Sequence, residues 1–99
     1  MEREPLGTRL GRRLREARIS AGLTVREAAQ LAGIPSPSLL VRYEHNDSHP
    51  PLDRLEALAD AYTTTVAALI AERDEAVALI ALIERADPTI LQRLLVALR

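Results

Sequence analysis

Between residues 22 and 46 the chain is punctuated so closely that two short helices around a tight turn are the natural solution. Gly22 stops what precedes it, because glycine accepts the left-handed conformation that ends a helix. Thr24-Val25-Arg26-Glu27 then has capping-box spacing, in which the Thr hydroxyl and the Glu carboxylate satisfy each other's backbone amides. This predicts a helix from Thr24 to about Ala32-Gly33, and a tight turn at Gly33-Ile34-Pro35. Ser36 follows as a cap, with Pro37 at the first helical position, where a missing N–H costs nothing. Leu39, Leu40 and Tyr43 give this next helix an inward side, and it stops near His45-Asn46.

The remainder also reads as helix. After a lead-in over residues 1–7, Leu10, Leu14, Ala17 and Ala21 recur at helical spacing and predict a first helix from Thr8 to Ala21. Beyond the loop Asp47-Ser48-His49-Pro50-Pro51, a fourth helix is expected from Leu52 to Tyr62, with Leu52, Leu55, Leu58 and Ala59 inward. Thr63-Thr64-Thr65 breaks it, and Thr65 caps a fifth from Val66 to about Glu72. Asp74 to Ala86 continues the pattern, and Asp87-Pro88 restarts a last helix ending near Leu98. The chain has two Tyr and neither Phe nor Trp, so its core must come from Leu, Ile, Val and Ala. With no period-two segment, the expected class is all-α. A length of 99 residues suits one domain plus a short appendage: a domain over 8–72 and a helical segment over 73–99.

Several chemistries are set aside on composition. There is no cysteine, hence no disulfide and no thiolate metal site. His45, Asp47 and His49 alternate in a Pro-rich loop and read as polar turn residues; no metal and no cofactor is expected. Neither a Gly-rich phosphate loop nor an arguable Ser-His-Asp set is present, so an enzyme is not expected. Met1 to Pro5 lacks the basic and apolar regions of a secretory signal, and the longest apolar run, Ala76 to Ile83, is too short for a membrane span. The expectation is a cytoplasmic protein with no membrane partner. Net charge is −1, but it is unevenly placed: residues 1–46 carry eight Arg and five acids (+3), and residues 47–99 five Arg and nine acids (−4). That asymmetry suggests a face for an anionic partner and a different role for the far end.

The ordered set Leu14-Arg15-Glu16-Ala17-Arg18, Gly22-Leu23-Thr24, Ala28-Ala29, Leu31-Ala32-Gly33-Ile34, Leu40-Val41-Arg42-Tyr43-Glu44, Pro50, Leu52, Leu55, Leu58-Ala59, Ala61-Tyr62 and Val66 resembles the lambda-repressor-like, xenobiotic-response-element family of helix-turn-helix regulators. The likeness covers about two-thirds of the chain. It implies a five-helix DNA-binding domain, here followed by two additional helices, whose helix 36–45 enters the major groove of double-stranded DNA. The resemblance places Pro37, Ser38, Val41 and Arg42 near base edges. Arg42 suits guanine O6 and N7, Ser38 several bases, and Val41 a thymine methyl. Arg12, Arg13, Thr24, Arg26, Ser36, His45 and Asn46 become phosphate contacts, the two caps through helix-terminal amides. Arg18 and Glu44 are implied to pair beneath the turn as a structural ion pair.

The chain departs from that pattern at Val25, where a polar phosphate-binding residue is usual. It also departs in a turn one residue longer than the common form, and in a recognition helix without Gln, Asn or Lys. These departures give shape readout a larger share of any specificity.

Ala76, Leu79, Ile80 and Ile83 make one stripe in the last segment, and Ile90, Leu91, Leu94, Leu95 and Leu98 another. Packing back on the domain would cover them. The sharper expectation is a homodimer interface built on Leu79, Ile80, Ile83, Ile90, Leu91, Leu94 and Leu95. A dimer sets two recognition helices one DNA turn apart, about 34 Å, and so predicts a palindromic operator; the expected role is that of a repressor. The competing class is a protein-interaction module of the same fold. A continuous basic stripe through Arg12, Arg13, Arg26 and Arg42 would favour DNA; an apolar patch around Pro37, Leu39 and Val41 would favour protein.

Overall fold

A computed structural model describes residues 4–99; the first three residues of the expected lead-in lie outside the described ones. The described residues form seven α-helices and no strand: α1 (Leu6–Ser20), α2 (Val25–Leu31), α3 (Pro37–Glu44), α4 (Leu52–Ala61), α5 (Val66–Leu69), α6 (Val77–Arg85) and α7 (Pro88–Ala97). A single 3-10 turn, Asp74–Ala76, joins α5 to α6. The fold class is thus all-α, five helices followed by two.

Local chemistry sets most helix ends. The Thr24 hydroxyl accepts from Glu27 N–H at 3.1 Å, and Glu27 Oε1 accepts from Thr24 N–H at 2.9 Å, completing the capping box. Ser36, Thr65 and Asp87 cap α3, α5 and α7 with side-chain oxygens. The first four helices all close with the same left-handed cap, and its left-handed residues are Gly22 (φ 73°), Gly33 (φ 68°), Asn46 (φ 62°) and Thr63 (φ 56°). At Gly33, for example, the next residue, Ile34, donates back to Ala29 O at 2.8 Å. Thr63 does the same task with a β-branched side chain, a conformation that carries strain.

The core is one cluster. Leu14, Leu40, Leu58 and Leu69 are completely buried, and Leu10, Ala28, Ala29, Ile34, Tyr43, Leu55 and Tyr62 pack around them. Two expected core positions differ: Leu52 is 80% exposed at the first turn of α4, and Ala21 is exposed at the end of α1. α1 begins at Leu6 rather than Thr8, because the Arg9 guanidinium reaches back to Glu4 O and holds the first turn.

The expected fifth helix is cut short at Leu69. Two arginines of α1 take its terminal carbonyls: Arg13 Nη1 donates to the oxygens of Ala68, Leu69 and Ala71 (3.3, 3.4 and 2.6 Å), and Arg9 Nη2 to Ile70 O (3.5 Å). Cationic donors are favourable partners for the negative end of a helix.

α6 and α7 stand apart. α6 rests on α5 and the 3-10 turn, whereas α7 makes only marginal contact with any other element. No residue of either helix is buried. The radius of gyration, 14.7 Å, exceeds the roughly 12.6 Å of a compact chain of this length, as an outstretched arm requires. No helix among the described residues is long and apolar enough to cross a membrane.

Candidate nucleic-acid interface

α3 is fixed from its inner side. Leu40, Tyr43 and Glu44 are buried. Glu44 takes a two-pronged contact from Arg18, Nε to Oε2 at 2.8 Å and Nη2 to Oε1 at 3.1 Å, and Arg18 Nη1 also donates to Leu23 O at 3.0 Å. The first helix, the turn after it and the end of α3 are therefore tied at one point. That bonding with Glu44 raises the Arg18 pKa above its ordinary value. Nearby, burial pushes the Tyr62 phenol well above its usual pKa, and its hydroxyl has no hydrogen-bond partner among the described residues. Tyr43 accepts from Arg54 Nη1 at 2.9 Å, a contact between α3 and α4 that the sequence did not suggest.

With that side locked, the opposite face of α3 is open. Ser38, Val41 and Arg42 are exposed, Pro37 half-buried, and His45 exposed just beyond the helix. No hydrogen bond or ion pair engages the Arg42 guanidinium among the described residues, so its planar donor fork is available. Arg26 on α2 is exposed and equally unengaged. Leu39 is half-buried and Val41 only 37% exposed, so α3 carries no broad apolar patch.

Arg12 and Arg13 correct the sequence reading. Arg13 is 3% exposed, its guanidinium filled by the three carbonyls above and by Asp74 (Nη2 to Oδ1, 2.9 Å). Buried and so engaged, it does not face a phosphate. Arg12 bridges Glu4 (2.7 Å), Glu16 (3.2 Å) and Asp74 (3.0 Å). Two cations and three carboxylates leave the cluster with a net charge of −1, and the expected basic stripe reduces to Arg26 and Arg42. A signal did exist in the sequence: Arg9 and Arg13 are four residues apart and flank Leu10 and Leu14, so they border the buried stripe.

The other expected phosphate contacts are differently placed. Both Thr24 groups that could face an anion are engaged with Glu27, whose carboxyl they hold below its ordinary pKa. The Ser36 hydroxyl accepts from Leu39 N–H at 3.3 Å. Asn46 is exposed and donates from Nδ2 to the Thr8 hydroxyl at 3.1 Å.

The bridges carry a pH signature. Arg13 and Arg12 hold the Asp74 carboxyl below its ordinary 3.8, and the Arg12 bond holds Glu4 below 4.5. A carboxylate whose folded pKa is depressed stabilises the fold above its unfolded pKa, and that contribution is lost as pH falls through the folded value. Urea midpoints are therefore expected to be level above about pH 5 and to decline below the ordinary values. Asp74→Asn should show a shallower decline; an unchanged profile would mean the Asp74 bridges contribute nothing.

A helix-turn-helix domain family matches residues 9–73. The chain belongs to the helix-turn-helix domain family. Among solved structures it is similar to that of the clp gene regulator ClgR from Corynebacterium glutamicum, at 29% identity, with 95% of this chain and 94% of that chain covered and a TM-score of 0.67. The likeness therefore extends beyond the matched domain into the last two helices. No curated protein gives a significant match.

Proposed function

We propose that this helix-turn-helix protein is a sequence-specific DNA-binding transcriptional regulator, a repressor working as a homodimer on a palindromic operator. The observation that carries the reading is Arg42: an exposed, unengaged guanidinium on the outer face of a helix whose inner face is pinned by the Arg18–Glu44 pair. Pro37, Ser38 and Val41 complete the surface offered to base edges. Arg26, His45 and Asn46 flank it as phosphate contacts, with the α3 amino terminus at Ser36 beside them. Leu79, Ile83, Ile90, Leu94 and Leu95 are exposed, with Ile80 and Leu91 half-buried, and a second copy is what covers them in this reading. A place of action in the cytoplasm, on the nucleoid, belongs to the same proposal.

The test is selection from a pool of random duplexes at two salt concentrations, with wild type and Arg42→Ala side by side. Enrichment of a palindrome is expected, with affinity falling steeply as salt rises. Arg42→Ala should cost about 1–3 kcal/mol and relax preference at one base pair. No enrichment and a silent variant would overturn the reading. The charge-compensated Arg12–Arg13 cluster, which offers no free cation, would then favour a protein partner.

A further inference from the structure

A trough runs along both sides of α6. One half, of about 610 Å³, lies between α1, the 62–64 turn and α6; the other, of about 810 Å³, lies between α6 and α7. Thr63, Ala78 and Ala81 line both, so the two halves adjoin along α6. On the α1 side its wall is Ala17, Ala21 and Leu23, which belong to the DNA-binding domain. Small side chains at Ala17, Ala21, Ala78 and Ala81 let another helix approach closely.

We infer that the trough receives α7 of a second copy, so that the dimer forms by reciprocal exchange of arms onto the partner's DNA-binding domain rather than by contact of α7 with α7 alone. This rests on the dimer reading above and specifies its geometry. The chain's own α7 lines the far half through Ile90 and Leu94 but leaves the α1 side open: it departs from α6 through extended backbone at Ala86 and Asp87 and makes no substantial contact with α1. A ten-residue helix such as α7 is about 15 Å long and 10 Å wide, and the concavity is of that scale.

The area is what a stable dimer needs. Eight large aliphatic side chains of α6, α7 and the residue just beyond are exposed, from Ile83 at 42% to Leu98 at 83%, three of them on the trough and five on the inserted helix and its end. At the roughly 100 Å² per side chain implied by transfer energies, they present on the order of 500 Å² of apolar surface. That matches the apolar share of one side of a standard interface, about 800 Å² in all. Charge agrees as well. Residues 88–99 hold Arg93 and Arg99 and no acid. The trough's own charges balance, Arg13 and Arg85 against Glu16 and Asp74, while the adjoining hollow is acidic, with Glu56, Asp60 and Glu84 against Arg85. Because each copy supplies one arm and one trough, the arrangement closes as a two-fold dimer with nothing left to propagate.

The chain has no cysteine, so introduced thiols report cleanly. Ala21→Cys and Leu95→Cys both alter exposed positions. An equimolar mixture of the two, exchanged and then air-oxidised, should yield the mixed disulfide as the main covalent dimer, while Leu95→Cys alone stays largely uncrosslinked. Sedimentation of the reduced wild-type protein runs alongside. A dimer in which Leu95→Cys links to itself and the mixed product is absent overturns the exchange and leaves the dimer standing. A monomer at all concentrations overturns both.

Discussion

Arg18→Ala is expected to lower stability by about 3–5 kcal/mol, the range for breaking a buried ion pair by removing one partner. The asymmetry of the pair decides which half to remove. The Glu44 side chain is 3% exposed and Arg18 12%. Without Arg18, a carboxylate with almost no access to water loses both of its charged donors, beside a phenol that is itself unpartnered. Without Glu44, the guanidinium keeps its bond to Leu23 O and some contact with water, so Glu44→Ala should be the milder change. For a domain of this size each kcal/mol moves Tm by about 4 °C or more, so thermal unfolding resolves the difference easily. The double variant Arg18→Met, Glu44→Leu should recover much of the loss, since a well-packed apolar pair often equals a buried ion pair. A single-variant loss under about 1 kcal/mol, the range of a surface pair, would mean that the pair is solvated in solution.

That pair was legible in the sequence only through resemblance, whereas the helix ends were legible from chemistry alone. A cap is decided within four residues: Thr24 with Glu27, Ser36 with Leu39, Thr65 with Ala68. The fates of Arg12 and Arg13 are decided elsewhere. Their partners include Ala68, Ala71 and Asp74, some sixty residues away in sequence; the place of Arg13 beside the buried stripe hints at burial, but nothing local says which remote groups it meets. The early end of α5 has the same origin, because its carbonyls go to arginines of α1 instead of continuing the helix. Leu52 misleads for another reason: one apolar residue at the first turn fits the helical stripe, yet the neighbouring elements do not reach it. On the recognition face, the pattern told which side of α3 is inward, through Leu40 and Tyr43, and the outward side followed by subtraction. What periodicity could not show is that Arg42 has no competing partner, since that depends on every helix around it.

Gly11→Ala is expected to destabilise the protein by about 2–3 kcal/mol, against the direction that helix propensity alone gives. In the middle of α1, replacing glycine by alanine should gain up to about 1 kcal/mol. Here a β-carbon would stand 2.8 Å from Glu44 O and 2.9 Å from Tyr43 O. Both obstacles are backbone at the end of α3, so neither can rotate away, and α1 must move off the recognition helix. The shift would also stretch the Arg18–Glu44 contact, which joins the same two helices. Gly7→Ala is the internal control: its β-carbon would meet His49 Cε1 at 2.7 Å and Asn46 Oδ1 at 2.8 Å, both ends of exposed side chains that can turn aside. The two variants make the same chemical change in one helix, and denaturant midpoints should separate them, with Gly7→Ala near wild type. Equal midpoints would place α1 farther from α3 than the structure has it. Separated midpoints would identify glycine at 11 as the residue that lets the first helix lie against the backbone of the recognition helix and hold it in place.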